Sequence, residues 1–171
     1  MSHVKVSTII MLIGIPGSGK TTWANKFLKL HPCAHLLSSD KVREETTGTI
    51  ECDPRQSPAI HALIYEKAKN IINSEESYLP KNGFGPCIII DCTNVDVSEW
   101  RKFKSLEPTM MVARVFDIPV DEALIRQQVR GRTIPYDVVK RKHDTLHENL
   151  KFLPYFFNMI IMNDFDDHLV I

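Results

Sequence analysis

Eight consecutive residues near the start of the chain have the types and spacing of a phosphate-binding loop. They run from Gly14 to Thr21 and fit the pattern G-x-x-x-x-G-K-[ST] without a mismatch. Glycines allow such a loop to turn so tightly that successive backbone N–H groups point inward and surround a triphosphate. In this pattern we expect Lys20 to reach the β- and γ-phosphates and the hydroxyl of Thr21 to contact Mg²⁺. The residues expected to bind the nucleotide here are Gly14, Pro16, Gly17, Ser18, Gly19, Lys20, Thr21 and Thr22.

The sequence on both sides of this loop supports the interpretation. Residues 7–13 form an apolar run that is typical of a strand buried on both faces. After the loop, apolar residues from Trp23 to Leu28 recur at helical spacing, so the phosphates would meet a helix N-terminus and its partial positive charge. A chance match in a glycine-rich turn is disfavoured because the pattern and its flanks agree.

Strands alternate with helices along the rest of the chain, which predicts an α/β fold. This alternation favours a mostly parallel five-stranded sheet with helices on both faces. Further strands are predicted at 35–38, 87–90, 110–116 and 158–162, and helices at 58–74, 97–103, 121–128 and 135–150, with a helical turn at 40–45, a loop at 46–57 and a connector at 79–86. In such sheets ligands bind beyond the carboxyl ends of the strands. We therefore expect the loop, Asp40 and Asp91 to share one edge.

Length and composition predict one domain over residues 1–171. The residues are 43% hydrophobic and 25% charged, and Lys+Arg and Asp+Glu both number 21, so the net charge is zero. That balance speaks neither for nor against a nucleic-acid partner, because a basic face can exist within a neutral total. No apolar run approaches the ~18 residues of a membrane span, and we expect no membrane association. Four cysteines without metal-binding spacing, and no signal peptide, predict a reducing cytoplasm.

Asp40 is the candidate general base for a phosphoryl transfer. A hydroxyl that attacks a γ-phosphate must lose a proton, which a nearby carboxylate can accept. Arg43 follows three residues later, so on a helical turn the two side chains face the same way. A carboxylate beside a guanidinium suits an acceptor that carries a hydroxyl next to a phosphate. The alternative is a surface ion pair of small energetic value.

Asp91 follows the predicted strand at 87–90 and is the candidate magnesium residue beside Thr21. It could bind Mg²⁺ through water or hold Lys20 and Thr21 in place. The alternative is that Asp91, or else Thr93 or Asn94, caps the next helix.

The densest basic cluster lies between residues 126 and 142. Arg126 and Arg130 are four residues apart near a helix end, and Gly131 allows the chain to bend there. We expect these two arginines to lie on a lid that closes over the nucleotide and stabilises transition-state charge. Arg132 and the neighbouring lysines are interpreted as a solvated basic face.

His143 and His147 share a helical face, a spacing that can bind a metal ion. The sequence offers no third ligand beside them, so the pattern favours an ordinary helix face.

These motifs, taken together and in this order, resemble the polynucleotide 5′-hydroxyl kinase family, which includes phage polynucleotide kinases and the kinase modules of bacterial end-healing enzymes. The similar stretches are residues 14–24, 39–43, 90–94, 115–119 and 135–138, together with Arg126, Arg130 and Gly131. The resemblance covers roughly residues 7–153 and implies a P-loop kinase with ATP as donor and Mg²⁺. It also implies that Asp40 activates the 5′-hydroxyl of DNA or RNA, that Arg43 contacts the acceptor's 3′-phosphate, and that Arg126 and Arg130 act from the lid.

Three functions remain open at this point. The first is a kinase of 5′-hydroxyl nucleic-acid ends, and the second is a kinase of a small-molecule or tRNA-linked hydroxyl, as in metabolite kinases and zeta-like toxins. A nucleotide switch is the third, and it is disfavoured because no D-x-x-G and no N-K-x-D motif occurs after the loop. The segment 46–57, where an acceptor would lie, matches the resembled family poorly, and the sequence does not indicate an oligomeric state.

Overall fold

Five parallel strands form the sheet, and helices connect them, within the residues that the structure describes. The computed structural model describes residues 6–51, 53–74 and 85–162. The strands are β1 (Thr8–Gly14), β2 (His35–Ser38), β3 (Cys87–Asp91), β4 (Met110–Phe116) and β5 (Met159–Met162). The helices are α1 (Lys20–Leu30), α2 (Ser39–Thr47), α3 (Ser57–Ile72), α4 (Val97–Lys104), α5 (Val120–Val129), α6 (Tyr136–Asn149) and α7 (Leu153–Phe156), with a 3-10 helix at Leu150–Phe152.

The central strand, β1, is buried on both faces because its alternate side chains enter different hydrophobic clusters. Ile9, Met11 and Ile13 pack on one face with residues from α3 and α4. Ile10 and Leu12 pack on the other face against α1. The predicted arrangement, a sheet covered by helices on both sides, is confirmed.

The strand order is β2-β3-β1-β4-β5, and every pairing is parallel. β1 leads to β2 on one side, whereas its neighbour β3 leads to β4 on the other. Neighbouring strands whose connections diverge in this way leave a crevice beyond their carboxyl ends. The register places Leu12 and Ser38 level with Asp91. The loop after β1, the start of α2 and the end of β3 therefore meet at one edge.

The main departures from the predicted elements lie after β2. The helical turn expected at 40–45 is a nine-residue helix, α2, which ends at Thr47 and is followed by Gly48 with a left-handed φ of 74°. The predicted loop at 46–57 begins later for this reason, and the predicted connector at 79–86 lies largely outside the described residues. The bounds of the other predicted elements agree with the structure to within two residues. Among the helices described, none is both long and apolar enough to span a bilayer.

Candidate active site

The loop between β1 and α1 is shaped by glycines that leave no room for a larger side chain. A side-chain carbon at Gly14 would lie 2.6 Å from the backbone oxygen of Phe116. One at Gly17 would lie 2.5 Å from the backbone oxygen of Ala123. Gly17 and Gly19 also have positive φ values of 85° and 102°, which other residues rarely adopt. The glycines thus allow the loop to pack closely against the end of β4 and against α5.

Lys20 begins α1, and its ammonium group lies within the loop. Nζ donates hydrogen bonds to the backbone oxygens of Gly14 at 2.9 Å and Ile15 at 2.8 Å. It also lies 3.3 Å from Ser18 Oγ. Burial lowers the pKa of Lys20 from 10.5 to about 8, although the charge of Asp91 acts in the opposite direction. The predicted phosphate-binding loop therefore contains a buried, backbone-bonded cation.

Thr21 and Asp91 are joined by a hydrogen bond beside Lys20. Thr21 Oγ1 donates to Asp91 Oδ2 at 2.8 Å. Burial raises the pKa of Asp91, while the hydrogen bond from Thr21 and the charge of Lys20 act against that rise. Hydroxyl and carboxylate oxygens are the hard ligands that Mg²⁺ prefers, so these two side chains fit a magnesium ion. The alternative that Asp91 caps the next helix is wrong, because the N-cap residue of α4 is Asp96.

Asn94, another of the capping candidates, forms hydrogen bonds to the ends of two strands. Its side-chain amide donates to the backbone oxygens of Leu12 at 2.8 Å and Ile90 at 3.1 Å. Trp100 Nε1 donates in turn to the backbone oxygen of Asn94 at 2.7 Å. The residue is buried and has a positive φ of 49°. These bonds tie the end of β3, which carries Asp91, to β1 and to α4.

Asp40, near the start of α2, is held by two arginines. Its Oδ1 accepts a hydrogen bond from Arg43 Nη1 and its Oδ2 accepts one from Arg132 Nη1, both at 2.9 Å. Both guanidinium groups also donate to the backbone oxygen of Ile50, at 3.4 and 3.2 Å. The charge of Asp40 contributes to the electrostatic environment of Lys20. Asp40 therefore shares an edge of the sheet with the loop.

The Asp40–Arg43 pair differs from the surface ion pair considered as its alternative. The side chain of Arg43 is only 5% exposed, whereas that of Asp40 is 41% exposed. Within the described part of the chain, the buried Nε of Arg43 has no hydrogen-bond partner. An unmet buried donor costs about 1–3 kcal/mol. The guanidinium of Arg43 thus has hydrogen-bonding capacity that the protein does not use.

Arg132 and Lys142 are site residues that the sequence analysis missed, since both were assigned to a solvated face. Arg132 instead reaches Asp40, 92 residues away, just after Gly131 turns the chain with a φ of 70°. Lys142, on α6, is close enough for its charge to contribute to the lowered pKa of Lys20. No local sequence pattern signals either contact, because both depend on where the chain after α5 crosses the edge of the sheet.

Arg126 and Arg130, the predicted lid arginines, both lie against the phosphate-binding loop. Arg130 Nη2 donates to Thr22 Oγ1 at 3.1 Å. Arg126 forms an ion pair with Glu122, and its Nη1 lies 3.6 Å from where a side-chain carbon at Gly19 would be. We call residues 126–132 the arginine segment. It places two guanidinium groups at the loop and a third at Asp40.

Comparison with known families identifies the domain that carries this site. Residues 9–153 match a family model described as an AAA domain. The chain belongs to this family. The match includes the phosphate-binding loop, Asp40, Asp91 and the whole arginine segment.

Solved structures and relatives resemble this AAA domain over most of its length. A chain of the Pnkp1/Rnl/Hen1 RNA repair complex aligns with a TM-score of 0.69 and 23% identity, over 86% of this chain and 46% of that chain. A gluconokinase from Sinorhizobium meliloti 1021 aligns with a TM-score of 0.57 and 16% identity, over 94% of this chain and 82% of the other. An adenylate kinase of Rhizobium rhizogenes is 28% identical over 150 residues, which are 83% of this chain and 65% of that relative. The fold is that of P-loop kinases. The chain spans between 18% and 66% of the length of four curated relatives that it matches.

Proposed function

We propose that this AAA domain is an ATP-dependent kinase that transfers the γ-phosphate to a 5′-hydroxyl end of DNA or RNA. One observation carries the proposal: a carboxylate held by two guanidinium groups, Asp40, lies at the same sheet edge as the phosphate-binding loop. A hydroxyl bound between them would have a base on one side and the γ-phosphate on the other. Positioning of this kind contributes much of the rate enhancement in phosphoryl transfer.

The donor side binds ATP through the loop at residues 14–22. Backbone N–H groups and the N-terminus of α1 face the phosphates, and Lys20 adds a positive charge. Thr21 and Asp91 would hold Mg²⁺, whose charge would offset that of the phosphates when it is bound. The hydrogen bond between these two side chains supports their assignment to one ion.

Asp40 accepts the proton of the acceptor hydroxyl. As the hydroxyl oxygen bonds to the γ-phosphorus, the bond from that phosphorus to the β–γ bridging oxygen breaks, which yields ADP and a 5′-phosphate. Each oxygen of the carboxylate accepts one arginine hydrogen bond and keeps a second lone pair. Arg126 and Arg130 stabilise the charge that spreads over the transferred group.

The acceptor side has the charge expected for a nucleic-acid end. A terminal nucleotide presents a 5′-hydroxyl and a 3′-phosphate, so it can engage a carboxylate and a guanidinium together. Arg43 and Arg132 supply two positive charges beside Asp40. The similarity in fold to a chain of an RNA repair complex agrees with this acceptor. The similarity in fold to a gluconokinase favours the second candidate, a kinase of a small-molecule or tRNA-linked hydroxyl.

Transfer of labelled γ-phosphate from ATP to a panel of acceptors tests the proposal. The panel contains DNA and RNA oligonucleotides with 5′-hydroxyl ends, the same oligonucleotides with 5′-phosphate ends, AMP and gluconate. We expect only the 5′-hydroxyl oligonucleotides to be phosphorylated. An Asp40→Asn variant should lose about 10²- to 10⁴-fold in rate, the usual contribution of a general base.

Glu45→Gln is the matched control for Asp40→Asn. Glu45 lies on the same helix and pairs with Lys67 at 2.8 Å, but it is 60% exposed and makes none of the site contacts. This variant should retain full activity. Phosphorylation of gluconate in place of oligonucleotides would favour the second candidate, and ATP binding without transfer to any acceptor would favour the nucleotide switch. Phosphorylation of AMP on its phosphate would contradict both hydroxyl-kinase candidates.

A further inference from the structure

Three metal-ligating side chains come together where β4 ends, outside the site described above. His143 and His147 lie one helical turn apart on α6, and Asp117 directly follows β4. Their potential ligand atoms all lie within 4.8 Å of one another. The fold thus supplies a third ligand to the histidine pair, from a residue far away in sequence.

The two imidazoles converge on one carboxylate oxygen. Nε2 of His147 lies 2.9 Å from Asp117 Oδ1, and Nε2 of His143 lies 3.8 Å from the same atom. The rings are stacked with centroids 4.3 Å apart and planes at 28°. Ligands bound tetrahedrally at about 2.0–2.1 Å from Zn²⁺ are about 3.3 Å apart, a value between the two observed distances. Small side-chain rotations would therefore bring the two nitrogens and the carboxylate oxygen to the spacing of tetrahedral ligands.

A second carboxylate lies at the other nitrogen of His143. Nδ1 of His143 is 4.0 Å from Asp144 Oδ1, and Asp144 in turn accepts a hydrogen bond from Lys140 at 2.6 Å. Metal-binding histidines usually have a carboxylate or carbonyl at the nitrogen that does not bind the metal, which orients the ring. At 4.0 Å Asp144 is beyond hydrogen-bond distance, so it would take this role only after a side-chain rotation.

We propose that Asp117, His143 and His147 bind a divalent transition-metal ion of the Zn²⁺ class. Two imidazoles and a carboxylate favour such ions over Mg²⁺, which prefers oxygen ligands. Three protein ligands leave a coordination position for water. The side chain of His147 is 47% exposed, which gives the ion access from solvent.

The bound ion would tie the end of β4 to α6. Along the chain the arginine segment lies between these two elements, so the ion would fix both ends of the region that carries Arg126, Arg130 and Arg132. The metal site does not depend on the proposed kinase function, because none of its three ligands is assigned to phosphate, magnesium or acceptor binding.

Calorimetric titration of the chelator-treated, dialysed full chain with Zn²⁺ tests the site. We expect one equivalent to bind, and we expect Zn²⁺ to raise the melting temperature because it binds the folded state. Asp117→Asn and His147→Asn should each weaken binding at least about tenfold, since even residues that only orient a metal ligand contribute roughly 10- to 100-fold. His61→Asn is the matched control, because His61 pairs with Glu99 at 3.6 Å outside the cluster. It should bind Zn²⁺ like the unaltered chain.

His147→Asn is the decisive variant, because its half-exposed side chain can be replaced without disturbing the core. If this variant binds Zn²⁺ as tightly as the unaltered chain, the ion lies elsewhere, for example at the exposed Cys33, and the proposal is overturned. Failure of the unaltered chain to bind Zn²⁺ overturns it as well. The cluster would then be a histidine–carboxylate ion pair.

Discussion

The donor and acceptor sides of the candidate active site are built in different ways. The phosphate-binding loop of the donor side is one continuous stretch, residues 14–22, which follows the largely buried strand β1 and bonds largely to its own backbone. The acceptor side joins two distant pieces: the region from Asp40 at the start of α2 to Ile50 just after that helix, and Arg132 after α5. The loop is local in sequence, whereas Asp91 and Arg130 join it, and Arg132 joins Asp40, only in the folded chain.

The two sides also differ in burial. Lys20 is 8% exposed and is enclosed by the loop. The Asp40–Arg132 ion pair is 41% and 33% exposed, and pairs of this exposure contribute only about 0–1 kcal/mol to stability. Changes to Lys20 and its loop should therefore affect folding and binding together. Changes to the partly exposed pair of Asp40 and Arg132 should affect function while leaving the fold intact.

Arg130 provides the strongest test of whether the arginine segment serves the donor side. Replacing it with alanine should lower the transfer rate by roughly 10³- to 10⁵-fold, the contribution of an arginine to transition-state charge in P-loop enzymes. ATP affinity should change little, because Arg130 is exposed and its hydrogen bond to Thr22 is a single surface contact. Single-turnover rates and ATP titration by calorimetry measure the two effects separately.

Arg130→Lys is the matched control, since it keeps the charge but loses the forked guanidinium. Its transfer rate should lie between those of the alanine variant and the unaltered chain. Comparable losses of rate and of ATP affinity in Arg130→Ala would contradict a transition-state role and would make Arg130 an ordinary binding residue.

Lys20 gives a pH test of the buried donor side. Its pKa is lowered in the folded state, so below about pH 8 both folded and unfolded chains carry the proton and the cost of burying the charge is present in full. Between about pH 8 and 10.5 the unfolded chain binds more protons, so stability rises with pH. The difference between the pKa values of 10.5 and about 8 corresponds to about 3 kcal/mol of unfolding free energy.

A Lys20→Met variant lacks this titration. We expect the difference in unfolding free energy, variant minus unaltered chain, to fall by up to about 3 kcal/mol as the pH rises from below 8 to above 10. Denaturant unfolding of both chains across this range measures it. A difference that does not change with pH would show that Lys20 is solvated in the folded chain, which would remove the contrast in burial.

Much of the fold could be predicted because its signals are local. The apolar run of β1 and the glycines of the loop each dictate a conformation to their own neighbours. The same holds for the alternation of strands and helices, which predicted the sheet and both helical layers. The length of α2 could not be predicted, because Thr46 and Thr47 are weak helix formers. Their hydroxyls bond back to α2 backbone oxygens, at 2.8 Å to Val42 and to Arg43.

The candidate site was predictable only in part, because only some of its contacts have a local signal in the sequence. Asp40 and Asp91 each follow a predicted strand, so the rule for parallel sheets placed them beside the loop. Arg132 has no such marker. Asp117 also follows a predicted strand, but its contact with His143 and His147 has no signal in the sequence. Both contacts depend on the path of the chain after α5, which the periodicity of the helices does not fix.

Replacement of Arg132 tests the acceptor side and should have the smallest of these effects. Replacing it with alanine removes one charged hydrogen bond to Asp40 and one to Ile50, and should raise the acceptor KM about tenfold, or about 1.4 kcal/mol. The melting temperature should hardly change, since the pair is partly exposed. Steady-state kinetics with a 5′-hydroxyl oligonucleotide as the varied substrate measure the effect.

Arg101→Ala is the control, because Arg101 is an exposed arginine on α4 with none of these contacts. If both variants have the same acceptor KM, Arg132 is only a surface partner of Asp40. The acceptor side would then consist of Asp40 and the buried Arg43.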